Sequence, residues 1–115
     1  MGWDISFYDQ SDSTEPLPPI SLTILNLTYN YSSWPECQEY WRPKLDYDGK
    51  TVGEAMAVMD SVIRRMTAEG VDVYSFEEYK RKRLTLSRLE DMLMWLTTNY
   101  DDLAKLPRHW IIRLE

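Results

Sequence analysis

Apolar and polar side chains alternate near the start of the chain, where Trp3, Ile5 and Phe7 would fall on one face of a half-buried strand. Residues 20–31 contain no glycine or proline and are rich in β-branched and aromatic side chains, which favour strands. A third apolar run lies at the end of the sequence. The pattern therefore predicts three strands, at residues 3–8, 20–31 and 109–114.

Between residues 51 and 68 apolar side chains recur every three or four positions, which predicts an amphipathic helix. Thr51 and Glu54 have the spacing of a capping box, in which the hydroxyl and the carboxylate each bond the other residue's backbone amide. Gly70 follows the last apolar position. It is expected to end this helix, because glycine readily adopts the left-handed conformation found at helix ends.

A second helical region is predicted at residues 76–100, with a bend or break near Leu84. Ser75 and Glu78 repeat the capping-box spacing at its start. The apolar faces of the two helical regions are expected to supply much of the core. Six core residues are predicted: Met56, Met59, Ile63, Leu89, Leu93 and Leu96.

The order of the elements favours an α+β fold, because most strands precede the helices instead of alternating with them. We expect a small sheet of about three strands, with the helices packed on one of its faces. A chain of 115 residues is close to the usual size of one domain, so residues 1–115 are expected to form a single domain.

The formal net charge of −6 disfavours nucleic acid as a partner, because phosphates are bound by basic surfaces. The basic run at residues 80–83 is flanked by acidic residues and is interpreted as a solvated helix face. The sequence contains no apolar run of about 18 residues, and its first residues lack the pattern of a secretory signal. We therefore expect a soluble cytoplasmic protein that does not bind membranes.

One cysteine and one histidine leave little scope for metal or disulfide chemistry. Cys37 has no partner for an internal disulfide, and with His109 it supplies only two of the ligands that a structural zinc site needs. The glycine-lysine-threonine sequence at 49–51 lacks the upstream glycine of a phosphate-binding loop, since that position is Lys44. We predict no catalytic residues, no metal site and no cofactor.

The most distinctive polar feature lies on the predicted second strand, where Asn26, Thr28 and Asn30 alternate with apolar residues and share one face. Such groups need hydrogen-bond partners if they are buried. This polar face either binds a ligand or braces the neighbouring loop, and bracing is the preferred interpretation. Trp34 and Trp41 follow in the sequence, and their rings either contact a partner or cover the edge of the sheet.

The same part of the chain carries a resemblance to a known family. The N-x-T-x-N strand at 26–30, the tryptophan shortly after it and the L-D-Y-D-G-K-T stretch at 45–51 resemble a family of small uncharacterised proteins of phages and bacteria. The likeness spans about residues 20–66. The family often has proline and methionine where this chain has the Ser-Ser-Trp sequence at 32–34. The resemblance implies a phage accessory origin and no known activity.

We therefore expect a non-enzymatic interaction protein that binds a host protein or another copy of itself. The negative charge and the aromatic residues typical of binding surfaces favour this hypothesis. The alternative is a binder of a small polar or nucleotide-like ligand, held by the polar strand face and stacked on a tryptophan. The candidate ligand-binding residues are Asn26, Thr28, Asn30, Trp34 and Trp41.

Overall fold

A computed structural model of the chain describes residues 5–9, 34–42 and 46–114. Within these ranges the chain forms two strands and four helices in an α+β arrangement. In chain order they are β1 (Ile5–Tyr8), α1 (Pro35–Gln38), α2 (Val52–Ala68), α3 (Phe76–Lys82), α4 (Arg88–Leu103) and β2 (Ile111–Leu114). None of the helices in the described part of the chain combines the length and the apolar character that spanning a bilayer requires.

The two strands pair antiparallel, and Phe7 of β1 lies opposite Ile112 of β2. Both residues are buried and join the core cluster that α2 and α4 also enter, so the helices cover this face of the sheet. Two of the three predicted strands are thus confirmed, and the second of them begins at Ile111, two residues later than predicted. The third predicted strand, at residues 20–31, lies outside the described residues.

A turn before α2 lies beside β2 and joins the sheet to the helices. The amide of Gly49 donates to the carbonyl of Ile112, and the amide of Ile112 donates to the carbonyl of Lys50, both at 2.8 Å. Gly49 has a φ of 79°, a left-handed conformation that glycine adopts without a steric cost. Thr51 then caps α2. The glycine-lysine-threonine sequence is therefore a turn and a helix cap.

Capping boxes begin α2, α3 and α4. The first two confirm the predictions from the sequence, and the third was not predicted. The three pairs are Thr51 with Glu54, Ser75 with Glu78, and Ser87 with Glu90.

The predicted helical region at 76–100 consists of two helices, because the chain breaks at Arg83, which has a left-handed backbone with a φ of 50°.

The end of α2 has the hydrogen bonds of a Schellman motif. The amide of Val71 donates to the carbonyl of Met66, and the amide of Gly70 donates to the carbonyl of Thr67, both at 3.1 Å. Gly70 has a φ of 92°, as this motif requires at the position after the cap. The predicted role of Gly70 is confirmed.

The core is centred on the packing of α2 along α4. Ile63 and Leu89 are only partly buried against it, although the sequence predicts them as core residues. Tyr47 enters from the turn before α2, and its hydroxyl donates to Sδ of Met59 at 3.3 Å. The other four predicted core residues are buried: Met56, Met59, Leu93 and Leu96.

Candidate functional site

An open groove of about 390 Å³ lies between the start of α3 and the second half of α4. One wall is the segment 73–77, which leads from α2 into the first turn of α3. The opposite wall is formed by Thr97, Thr98, Asp101, Asp102 and Lys105. We call this feature the α3–α4 groove.

Phe76 fixes the first wall against α4. The centroid of its ring lies 5.4 Å from that of Trp95 and 6.1 Å from that of Tyr79. One residue earlier, the Ser75 hydroxyl accepts a hydrogen bond from the Glu78 amide at 3.1 Å and sets the start of α3. Because α3 has no buried residue of its own, the aromatic contact and the helix cap together position this wall.

The polar groups of the α4 wall are largely held by the helix itself. The hydroxyls of Thr97 and Thr98 each donate to the carbonyl of Met94, at 2.8 and 2.9 Å. The Asp102 side chain is 3% exposed, and its Oδ1 lies 3.4 Å from Nζ of Lys105. The α4 wall therefore contains the nearly buried carboxylate of Asp102 and, three residues later, the ammonium group of Lys105 that pairs with it.

The α3–α4 groove is acidic. Glu77 and Asp101 are exposed carboxylates on opposite walls. The Glu77 side chain is 83% exposed, and its Oε1 lies 3.8 Å from Nζ of Lys80. Lys105, which also lines the groove, is paired with Asp102. The lining therefore contains three carboxylates and one ammonium group.

Val73 and Tyr74 add an apolar and an aromatic group to the groove. Val73 is 49% exposed, and no other large hydrophobic side chain among the described residues is comparably exposed. The negative charge of Glu90, with a smaller contribution from desolvation, raises the pKa of Tyr74 above its ordinary value. The Tyr74 phenol therefore remains protonated at neutral pH.

The two tryptophans predicted as ligand-binding residues lie away from the groove. Trp41 is 2% exposed and packs edge-on against Tyr47, with 4.7 Å between the ring centroids. Trp34 is partly buried just before α1, and the guanidinium carbon of Arg88 lies 4.4 Å from the centroid of its ring. Trp41 is thus a core residue, and one face of Trp34 is already covered by a cation.

The polar strand residues Asn26, Thr28 and Asn30 lie outside the described residues. Reasoning from the sequence does not identify the residues of the α3–α4 groove, because they are far apart along the chain. One weak signal is present: Val73 is a β-branched apolar residue next to Asp72, in a short connection between two helices. Such connections are usually polar at the surface.

The chain has one thiol and one imidazole, at Cys37 and His109, and both lie outside the groove. Cys37 is buried, and this burial, together with the nearby charge of Glu36, raises the pKa of its thiol to about 11. Beside the sheet, Nε2 of His109 lies 3.8 Å from Oδ2 of Asp9. In the ranges that the structure describes, no three His, Cys, Asp or Glu side chains are grouped so that they could hold a metal ion.

A comparison of the chain with models of protein families, with curated proteins and with solved structures finds no match. The geometry and the charge of the α3–α4 groove are therefore the basis for a functional proposal.

Proposed function

We propose that this protein is a non-enzymatic interaction protein that binds a polypeptide segment in the α3–α4 groove. The segment belongs to a host protein or to a second copy of the chain. The exposure of Val73 is the main support, since this side chain lines the groove and is 49% open to solvent. An apolar side chain inside a groove offers a partner surface to cover, and binding would remove it from water.

The open shape of the groove favours a polypeptide over a small molecule. Small molecules are usually bound in concave pockets that cover most of their surface. The α3–α4 groove has about 390 Å³ and is open to solvent, so an extended chain can lie across it with a few side chains inserted. One wall offers apolar and aromatic groups together with the carboxylate of Glu77, and the opposite wall offers the carboxylates of Asp101 and Asp102.

The alternative, a small polar or nucleotide-like ligand at the polar strand face, stays a prediction from the sequence. Residues 26–30 lie outside the described residues. The two tryptophans proposed to stack on such a ligand do not favour it, because Trp41 is buried and Trp34 is covered on one face by Arg88. The groove is therefore the better basis for a proposal.

Site-specific photocrosslinking tests the interaction function. A p-benzoylphenylalanine in place of Val73 should form a discrete adduct with one polypeptide when irradiated in bacterial cells, and mass spectrometry would identify that polypeptide. Bacterial cells are the first choice because the sequence resemblance is to proteins of phages and bacteria. The matched control carries the same photoreactive residue at Ser61, an exposed position of α2.

A third variant keeps the photoreactive residue at position 73 and adds Thr98→Arg, which fills the groove from the opposite wall. This variant should lose the adduct while its circular dichroism spectrum stays unchanged. An adduct with twice the mass of the chain would identify a second copy as the partner. The proposal fails if positions 73 and 61 give the same adducts, if neither gives one, or if the adduct survives Thr98→Arg.

A further inference from the structure

We infer that the α3–α4 groove selects a cationic polypeptide segment, in which an arginine or a lysine lies next to an aliphatic residue. This inference rests on the interaction function proposed above and adds the chemistry of the partner. Three properties of the groove support this inference: the negative charge of Glu77 and Asp101, the aromatic ring of Phe76 and the exposed apolar side chain of Val73.

The charge of the groove favours a cation. Glu77 and Asp101 are exposed and lie on opposite walls, so a basic side chain between them would have a carboxylate on each side. The ion pair of Glu77 with Lys80 spans 3.8 Å between exposed side chains. Exposed pairs of this kind contribute little to stability, so Glu77 is available to a partner. The net charge of −6 adds a longer-range attraction for a basic segment.

The cations at the groove do not oppose this choice. Lys105 is paired with Asp102 at 3.4 Å. The ammonium group of Lys80 lies 5.0 Å from the centroid of the Phe76 ring, and the Lys80 side chain is 55% exposed, so it can turn into solvent. The position of Lys80 also shows that the face of Phe76 accepts a cation. An incoming guanidinium group can make the same contact with this ring.

The exposed Val73 side chain, which is the apolar part of the groove, sets a second requirement for the partner. A segment made only of basic residues would leave the 49% exposed Val73 side chain in water, so binding would gain no free energy from burying it. A purely apolar segment would cover the carboxylates of Glu77 and Asp101 without a counter-charge, which costs free energy. A segment that combines an aliphatic residue with an arginine or a lysine meets both requirements, because it covers Val73 and supplies a counter-charge to Glu77 and Asp101.

NMR titration of the full chain with three short synthetic peptides of equal length tests this inference. The peptides alternate leucine with arginine, leucine with serine, or leucine with glutamate. The arginine peptide should shift the amide signals of Val73, Phe76 and Asp101, and it should bind at least about tenfold more tightly than the glutamate peptide. Added salt should weaken this binding.

Charge-neutralising variants give the second measurement. The double variant Glu77→Gln with Asp101→Asn should bind the arginine peptide about tenfold more weakly, or about threefold for each charge removed. The matched control, Asp60→Asn, removes one carboxylate from the surface of α2. Its affinity for the arginine peptide should stay close to that of the unmodified chain, because Asp60 does not line the groove and acts only through the weaker long-range attraction.

The inference is wrong if the three peptides bind equally, if none of them binds, or if Asp60→Asn weakens binding as much as the double variant. The proposed function is judged separately by the adduct formed at position 73. An adduct that is lost with Thr98→Arg but kept in the double variant Glu77→Gln with Asp101→Asn would preserve the interaction function and overturn the selection of a cationic segment.

Discussion

The rings of Phe76 and Trp95 lie 5.4 Å apart between their centroids, and this contact joins α3 to α4. No residue of α3 is fully buried, so the position of one groove wall relative to the other depends strongly on this pair. Helices attached through little buried surface open locally at a lower cost than the global free energy of unfolding. The groove is therefore lined by one firmly packed helix and one that can separate from it.

We expect Phe76→Ala to detach α3 while α2 and α4 stay packed. The lost aromatic contact and the lost partial burial should lower the local stability of α3 by about 1–3 kcal/mol. Native-state hydrogen exchange would measure this as faster exchange in α3 alone. Val73→Ala is the control, because an exposed side chain contributes little to stability. Faster exchange throughout α2 and α4 would contradict the prediction.

Leu93 and Ile63 should differ in what their truncation costs. Leu93 is fully buried, so Leu93→Ala should lower the free energy of unfolding by about 2–5 kcal/mol. Ile63 is only partly buried, so Ile63→Ala should cost less, about 1–2 kcal/mol. Urea denaturation followed by tryptophan fluorescence measures both values. If Ile63→Ala lowers the free energy of unfolding as much as Leu93→Ala or more, the core is not centred on Leu93.

The thiol of Cys37 should make the protein less stable in alkali. Its pKa is raised to about 11 in the folded protein, against 9.0 for a free thiol. The folded state therefore keeps the proton to a higher pH than the unfolded state. The associated stability is complete below pH 9 and decreases as the pH rises through 11, with a loss of about 2 kcal/mol at that point.

Urea denaturation between about pH 8 and pH 11 would test this dependence on Cys37. The decrease should be smaller in Cys37→Ala, and the difference between the two chains isolates the thiol from the tyrosines. Tyr47 contributes from its ordinary pKa of 10.0 upward, because its burial raises its pKa in the folded state, and this contribution is common to both chains. Parallel pH profiles for the two chains would show that the thiol is not the cause.

The capping glutamates should make the helices sensitive to acid. Hydrogen bonds from the backbone amides of the capping residues lower the pKa values of Glu54, Glu78 and Glu90 below the ordinary 4.5. A lowered pKa in the folded state gives stability that is present above the ordinary pKa. This stability is lost as the pH falls through the lower, folded-state value.

Glu90→Gln tests the acid effect at one helix. Glutamine keeps the capping hydrogen bond to Ser87 but does not bind a proton in this range. The helical signal of this variant in far-UV circular dichroism should therefore decrease less in acid than that of the unmodified chain. If the two chains lose helical signal at the same pH and to the same extent, the capping carboxylate of α4 does not contribute to acid sensitivity.

The sequence predicts best the elements whose ends depend on local side-chain chemistry. The capping hydroxyl of Thr51 and the conformation of Gly70 define α2, and the observed helix runs within a residue of the predicted one at its start. The predicted break near Leu84 falls one residue from Arg83, where the backbone turns left-handed. β2 begins two residues later than predicted, at Ile111, which lies opposite Tyr8 at the end of β1; a strand ends where its partner ends, and the pattern of one segment does not contain that information.

The candidate site follows less directly from the sequence. The α3–α4 groove exists because the Phe76 ring packs against Trp95, and no local pattern specifies which aromatic side chains will meet. Trp41 illustrates the same difficulty. It lies in a segment without a clean period, so the sequence leaves its face undecided, whereas contact with Tyr47 buries it in the core.

The pairing of Ile5 with Leu114 closes a loop of about 110 residues. The conformational entropy of closing such a loop must be lost before the strands gain their hydrogen bonds, whereas α2 and α4 meet across a shorter stretch of chain. We expect β1 to gain protection last in a pulse-labelling refolding experiment. A chain with its helices packed and β1 still free leaves one edge of β2 open to β1 of another copy. Refolding at high concentration is therefore expected to yield strand-exchanged dimers.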